Sequence, residues 1–181
     1  MALQTQTFTV GGTSSSELHY YALELVLTEQ STDLITNTSL VNYILRLRSG
    51  NTSFSQYSIG ASISLAGKVV ATRSRTDDPQ MAISENSTLT ILSGSATVTH
   101  DADGSKTMSV AFSIDMAAVS YTPGPVSVSG KSMDLTKIDR GLVYIDTGSG
   151  FEEYQVFIDN GSGWDHYIPY IDNGTGWDMC S

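Results

Sequence analysis

The 181-residue chain has few of the residues that disulfide frameworks, basic surfaces and zinc sites require. Its single cysteine, Cys180, excludes an intrachain disulfide. Lys and Arg total 9 against 19 Asp and Glu, which gives a formal net charge of −10. Because acidic surfaces repel phosphate, we expect neither nucleic acid nor an anionic membrane surface as a partner. His19, His100 and His166 have no second ligand at zinc-binding spacing, so we expect no zinc site and no cofactor.

Long apolar runs and a basic, apolar N-terminal segment are also missing. The sequence therefore predicts no membrane span and no signal peptide, and synthesis and folding in a cytoplasm. Charged residues are only 15% of the chain, below the usual quarter, while Ser, Thr and Gly are frequent. This composition favours exposed β-sheets over a helical enzyme.

The C-terminal forty residues contain an internal repeat. Tyr144, Phe157 and Tyr170 lie 13 residues apart, and each begins a copy of one pattern: an aromatic residue and Ile, Asp with a polar residue, a Gly-x-Gly turn and a second aromatic residue. The second and third copies read Phe157-Ile158-Asp159-Asn160-Gly161-Ser162-Gly163-Trp164-Asp165 and Tyr170-Ile171-Asp172-Asn173-Gly174-Thr175-Gly176-Trp177-Asp178. Asp-Asn-Gly between β-forming residues is typical of a hairpin turn.

We therefore predict that residues 141–181 form three 13-residue β-hairpin repeats. Because single hairpins are marginally stable in water, the copies should stack on one another or on copies from neighbouring chains. Pro169 lacks an N–H, so the segment from Trp164 to Asp172 should be bent or broken there, or lie at an edge. Residues 141–181 also contain seven acids and no Lys or Arg, whereas residues 1–140 have a net charge of only −3.

Residues 1–139 are predicted to form an antiparallel β-sandwich. Apolar residues alternate with polar ones from Glu17 to Thr28, from Val41 to Arg48 and from Tyr57 to Leu65, which is the two-residue period of half-buried strands. Helix was the competing interpretation of Glu17 to Thr28. About eight strands with regular turn signals favour an immunoglobulin-like or a jelly-roll sandwich, and the sequence does not separate the two.

Local signals in this domain predict turns, a loop and a hairpin. Gly11-Gly12 is a turn signal after the first strand, and Gly67-Lys68 predicts a hairpin tip. Residues 76–87 are predicted to be a loop. Thr88 to Thr99 and Lys106 to Ala117 are predicted to pair as a hairpin around residues 100–105, with Val126 to Leu135 as the last strand.

Trp164 and Trp177 occupy the same repeat position and are the only tryptophans. Two interpretations compete for them. Their rings either pack against the neighbouring hairpin, which we favour, or stack on sugar rings together with Tyr167 and Tyr170, while Asp165 and Asp178 accept hydrogen bonds from hydroxyls.

Asp101 and Asp103 precede a glycine, which weakly matches the start of a calcium loop. The third acid and the distal Glu of such a loop are missing, so a plain turn is favoured and no metal is expected. No Gly-x-Ser-x-Gly elbow stands at a strand-to-helix turn. We expect the protein not to be an enzyme, although paired carboxylates of a hydrolase stay open as an alternative.

The segment Thr97 to Thr107, with His100-Asp101-Ala102-Asp103-Gly104-Ser105 inside it, resembles the His-x-x-Asp-Gly-Ser hairpin of minor structural and tail proteins of siphophages that infect Gram-positive bacteria. The Tyr-Ile-Asp-Asn-Gly-Ser-Gly-Trp-Asp repeats resemble C-terminal repeats of virion proteins of the same kind. The resemblance implies an all-β virion component, assembled in the host cytoplasm among other virion proteins, and carries over no functional residue.

With the repeats, the resemblance suggests an exposed tail-associated attachment, fibre or tip protein that acts multivalently as a homo-oligomer, with a trimer favoured. A head decoration or fibre protein and a module that binds host cell-wall glycans are the alternatives.

Overall fold

The computed structural model describes residues 3–13, 20–51, 53–77, 80–117, 122, 124–138, 142–167, 169–172 and 174–179, and among these it contains strands and no helix. The first ten strands are β1 (Thr5–Thr13), β2 (Tyr20–Asp33), β3 (Thr38–Ser49), β4 (Phe54–Tyr57), β5 (Gly60–Leu65), β6 (Lys68–Arg73), β7 (Met81–Ile83), β8 (Thr88–Thr99), β9 (Thr107–Asp115) and β10 (Val126–Asp134). The C-terminal strands are β11 (Leu142–Asp146), β12 (Phe151–Asp159), β13 (Trp164–Tyr167), β14 (Tyr170–Asp172) and β15 (Trp177–Met179).

The first ten strands form the predicted antiparallel sandwich. One sheet has the order β1-β2-β3-β8 and the other the order β10-β9-β5-β6, while β4 and β7 pair separately. The sheets bury the alternating apolar positions between them, so Leu25, Leu27, Leu45 and Leu47 are completely buried from one side and Ile63 and Met108 from the other. The all-β class and the strand assignment of Glu17 to Thr28 are confirmed over the described residues.

The strand order is immunoglobulin-like rather than that of a jelly roll. If β2, β3, β5, β8, β9 and β10 are given the immunoglobulin letters A, B, C, E, F and G, the sheets are A-B-E and G-F-C. β6 extends the second sheet beside β5, as an additional strand does in variable-type domains, and β1 extends the first. The alternative that the sequence left open is decided by this pairing.

Three local predictions are wrong. Gly11 and Gly12 lie inside β1, where they pair with Ala22 and Tyr21, and residues 76–87 contain the short strand β7. β8 and β9 are not a hairpin, because β8 pairs with β3 and β9 pairs with β5 and β10. Residues 100–106 therefore cross from one sheet to the other. The predicted hairpin tip at Gly67-Lys68 is confirmed between β5 and β6.

Strands β11 to β15 pair only with one another in the part of the chain that the structure describes. This pairing agrees with the proposed boundary near residue 140, but the division into two domains stays a prediction. No helix long and apolar enough to cross a membrane occurs among the described residues.

Candidate binding surface

The first two repeats make nearly identical turns. Asp146 pairs with Phe151 and Asp159 pairs with Trp164, so each loop has four residues. In each loop the aspartate Oδ1 accepts a hydrogen bond of 2.8 Å from the glycine N–H two residues later, at Gly148 and Gly161. A backbone bond of 2.9 Å closes each loop, from Thr147 N to Gly150 O and from Asn160 N to Gly163 O. The equivalent glycines share positive φ angles of 80°, 84° and 84° at Gly148, Gly161 and Gly174, which explains the glycine of the repeat.

The repeats are not three separate hairpins. β12 is continuous from Phe151 to Asp159, and it is both the second strand of the first repeat and the first strand of the second. The result is one three-stranded sheet, β11-β12-β13, followed by the hairpin β14-β15. β13 ends at Tyr167 and β14 begins at Tyr170, so the predicted break at Pro169 is confirmed.

One face of the three-stranded sheet, here the Trp164 face, presents aromatic rings beside carboxylates. Its described members are Asp146, Phe151, Phe157, Asp159 and Trp164, which the register places on one side. Phe151 and Trp164 are 74% and 71% exposed. Phe151 lies directly opposite Asp146, and Trp164 lies directly opposite Asp159. The face therefore has two places where an aromatic ring neighbours a carboxylate.

The opposite face, here the Tyr154 face, is more apolar. Its described members are Val143, Ile145, Glu152, Tyr154, Val156, Ile158, Asp165 and Tyr167. Ile145, Tyr154, Ile158 and Tyr167 are 42–51% exposed. Tyr154 donates a hydrogen bond of 2.9 Å to Glu152 Oε2. Apolar side chains on both faces of one thin sheet are unusual for a surface that meets only water.

The structure separates the residues of the predicted sugar-stacking site. Trp164 lies on one face of β13, and Asp165 and Tyr167 lie on the other. Asp165 Oδ2 also accepts a hydrogen bond of 2.6 Å from Asn160 Nδ2, so it already supports its own turn. Tyr170 is 51% exposed on the separate hairpin, in which the backbone of Trp177 pairs with Asp172. The side chains of Trp177 and Asp178 lie outside the described residues.

The two acids of the weak calcium motif already have partners. Asp101 accepts a bond of 2.8 Å from the Lys106 ammonium group. Asp103 Oδ1 accepts bonds from the Ser105 hydroxyl and N–H at 2.7 and 3.0 Å, and these bonds lower the pKa of Asp103. Among the described residues no three His, Cys, Asp or Glu side chains are grouped to hold a metal ion. The two carboxylates stabilise the turn between the sheets.

A buried polar cluster was missed by the sequence analysis. This cluster, here the Glu29 network, consists of Glu29 in β2, Ser39 in β3, His100 in the crossing and Thr136 after β10, and its members are 0–8% exposed. Ser39 Oγ is 2.7 Å from both Glu29 Oε1 and His100 Nε2. His100 Nδ1 donates to the Gly104 carbonyl at 2.8 Å. These four residues come from distant parts of the chain, so no local spacing could have indicated them.

Hydrogen bonds keep the Glu29 carboxylate ionised. Burial would raise its pKa, but bonds from the Thr136 hydroxyl, the Ser39 hydroxyl, the Gln4 N–H and the Thr136 N–H outweigh burial, and the pKa lies below the ordinary 4.5. The network differs from a nucleophilic triad because Ser39 is completely buried and because the second imidazole nitrogen faces a backbone carbonyl rather than a carboxylate.

Comparison with known proteins identifies one family. No curated protein and no solved structure matches the chain. A family model described as "Siphovirus protein of unknown function (DUF859)" matches residues 14–161, which include most of the sandwich, the first repeat and the first strand of the second. Because this match covers well over half of the sequence, the chain belongs to that siphovirus protein family.

Proposed function

We propose that the protein is a structural component of the virion, an exposed tail-associated attachment, fibre or tip element that acts through many copies rather than through catalysis. The observation that carries this proposal is the C-terminal sheet, in which both faces expose apolar side chains, including Phe151 at 74% and Trp164 at 71%. Membership of a siphovirus family and the all-strand fold support it.

The division of work follows from the two parts of the chain. The sandwich has a conventional buried core and the smaller share of the negative charge, so it is suited to attach the protein to other virion proteins. The repeat residues whose burial is described include no member of the buried core, and they expose a large apolar fraction. They are suited to contact either further copies of the chain or a receptor. In a homo-oligomer, for which we favour a trimer, weak contacts of single copies add up to strong avidity.

A head decoration or fibre protein is an alternative with the same construction. Antibodies raised against the sandwich and used on intact particles in negative-stain microscopy separate the two positions. Labelling at the tail end supports the proposal, labelling over the head supports the decoration role, and intact particles that do not contain the protein contradict both.

The exposed Trp164 face favours one further candidate, a module that binds host cell-wall glycans. Aromatic rings next to carboxylates suit sugars, whose apolar ring faces stack while their hydroxyls donate hydrogen bonds. Because residues 141–181 contain no Lys or Arg, an uncharged glycan fits this surface better than a phosphate-rich polymer.

Replacing Trp164 and Trp177 together by Ala tests this candidate. We expect binding of the full-length protein to host cells to fall by at least about tenfold, because each lost stacking contact contributes on the order of 1 kcal/mol. Pull-down of fluorescent protein with host cells measures binding, and circular dichroism checks the fold. Tyr20→Ala is the matched control, since Tyr20 is an aromatic residue 59% exposed on the sandwich. Equal adsorption of both variants would exclude the glycan role.

A further inference from the structure

The hydrogen-bond geometry of the Glu29 network requires one more proton than neutral side chains beside a carboxylate can supply. A carbonyl oxygen only accepts, so His100 Nδ1 must carry a proton to bond Gly104 O at 2.8 Å. Ser39 has one hydroxyl proton but lies 2.7 Å from both Glu29 Oε1 and His100 Nε2. If that proton goes to the carboxylate, Nε2 can bond Ser39 only by carrying a proton of its own.

The other end of the network determines where the additional proton resides. Glu29 Oε2 accepts from Thr136 Oγ1 at 2.6 Å, Thr136 N at 3.1 Å and Gln4 N at 3.2 Å. With Ser39 on Oε1, four donors surround this carboxyl group, which is the environment of an ionised carboxylate. A protonated Glu29 would have to turn one oxygen into a donor. A neutral imidazole would keep these bonds only if a protonated Glu29 Oε1 donated to Ser39, and the lowered pKa of Glu29 opposes that state. The proton therefore lies on the imidazole, which gives an imidazolium, a bridging hydroxyl and a carboxylate.

The other charged groups of the surrounding elements are otherwise engaged. In the crossing itself Asp101 pairs with Lys106, and Asp103 accepts from Ser105. Asp33, the last residue of β2, accepts from the N–H groups of Ile35 and Thr36 in the following turn. Lys137, after β10, acts on Asp103 through its charge. Of these groups none is hydrogen-bonded to the His100 ring, so Glu29, through Ser39, is the carboxylate that stabilises a charged imidazole there.

We propose that the Glu29 network is a proton-dependent latch, in which doubly protonated His100 holds the segment that leads from the sandwich into the C-terminal repeats. This segment is fixed at three points. Leu135 N donates to Lys106 O, Thr136 N to Glu29 and Ile138 N to Gly104 O. The Gly104 carbonyl therefore serves both His100 and Ile138. When the imidazolium loses its proton, Ser39 cannot satisfy both neighbours, and a buried acceptor is left without a donor.

The consequence lies at the junction with the repeats. Loss of the second His100 proton weakens the attachment of residues 135–138, which precede β11. Leu135 belongs to the buried core of the sandwich and Ile138 is 4% exposed, so the apolar contacts of this segment remain when its hydrogen bonds weaken. The latch therefore acts on the backbone hydrogen bonds at the base of the repeats. Because the network needs this additional proton, we expect its opening to increase as the pH is raised.

Two NMR measurements on the full-length protein test the latch between about pH 5 and pH 8, where imidazoles change their charge. Long-range proton–nitrogen spectra report the state of each ring, and His100→Gln identifies the His100 signals. We expect two protonated ring nitrogens at the acid end. Amide exchange then follows Thr136 and Ile138, whose protection should fall by about tenfold, corrected for intrinsic rates, once His100 is deprotonated. A His100 ring that is neutral throughout, or protection that does not follow its titration, would overturn the proposal.

Ser39→Ala tests the bridging hydroxyl, and Ser62→Ala is its matched control. Ser62 shares a hydrogen bond of 2.9 Å with Ser113 in the other sheet, away from the network. Ser39→Ala should lower the protection of Thr136 and Ile138 at acid pH to the level of the deprotonated wild type, whereas Ser62→Ala should leave it unchanged. Equal effects of both variants would contradict the latch. If Ser39→Ala does not fold, the wild-type titration decides alone.

Discussion

Gly104 determines, as a single residue, how the chain passes from one sheet to the other. Its φ angle is +76°, its N–H donates to Asp101 O, and its carbonyl accepts from both Ile138 N and His100 Nδ1. A Cβ at this position would lie 1.9 Å from the Ile138 carbonyl oxygen, which is backbone. The glycine of the Asp-Gly-Ser motif is therefore required by both conformation and space.

Gly104→Ala should lower the free energy of unfolding by more than about 3 kcal/mol, because left-handed strain adds to a clash with backbone that cannot rotate away. Urea unfolding, monitored by far-ultraviolet circular dichroism, measures this loss of free energy. Gly130→Ala is the matched control: Gly130 has a φ of +68°, but a Cβ there would meet nothing within 4 Å. Its cost should be about 1 kcal/mol. Similar losses in both variants would show that the contact with Ile138 is unimportant.

At the scale of elements, one residue decides whether neighbouring repeats share a strand. Val156 and Pro169 occupy the same repeat position. Val156 lies within continuous β12, whereas Pro169 lies between β13 and β14. Proline offers no N–H to a neighbouring strand and fixes φ, so the third hairpin is separate from the sheet.

Pro169→Val should join β13 and β14 into one strand, as in the first two repeats. Amide exchange at Tyr167 and Tyr170 of the full-length protein measures this, and we expect slower exchange by severalfold because new backbone pairs become possible. Val156→Pro is the reciprocal variant and should speed exchange throughout β12. If Pro169→Val leaves exchange unchanged, something other than proline ends the strand.

Strands were predictable from the sequence where one face is buried. The alternation at Val41 to Leu47 and at Ile59 to Leu65 follows directly from the two-residue period of a strand. The alternate apolar residues are buried, whereas Ile44, on the other face, is 40% exposed. The sequence of the 100–105 segment indicated a turn but not its destination. Turn residues indicate the local φ and ψ angles. The same angles can lead to a strand in the same sheet or to a strand in the other sheet.

The candidate surface was predictable only in part, for a related reason. The repeat and the break at Pro169 could be read from residues close in sequence. Trp164 and Asp165 are neighbours in β13, so the alternation of a strand places their side chains on opposite faces. The predicted sugar-stacking site placed both residues together and did not apply this alternation. The Glu29 network depends on the pairing of β2 with β3 and on the docking of Thr136, and neither has a local signal.

The molecule as a whole combines a sandwich that contains both signs of charge with a strongly acidic C-terminal part. Arg46 and Arg48 bond Glu24 across strands β2 and β3 at 2.7 and 3.0 Å, so the sandwich partly neutralises its own acids. The repeats contain no Lys or Arg that could do the same. Stability and association of the protein should therefore respond to acid in different ways in the two parts.

In the sandwich, acid should act through Glu29. Because its folded-state pKa is lowered below 4.5, the part of its contribution that depends on its own ionisation is complete above that pH and is lost as the pH falls through the folded value. We expect wild type to exceed Glu29→Gln in unfolding free energy by about 1–3 kcal/mol near neutrality. This difference should shrink below pH 4.5. Urea unfolding of both proteins across that range measures it, and a difference independent of pH would contradict the assignment.

Pro169, at the start of the third repeat, also affects how the number of repeats encoded by the gene can change. A unit whose described strands pair only with each other can be duplicated or deleted in register during DNA replication without disturbing the sheet before it. The first two units lack this freedom, since removing either one would take half of their common strand. Isolates of such a phage should accordingly differ in the number of terminal units, while the fused pair stays constant.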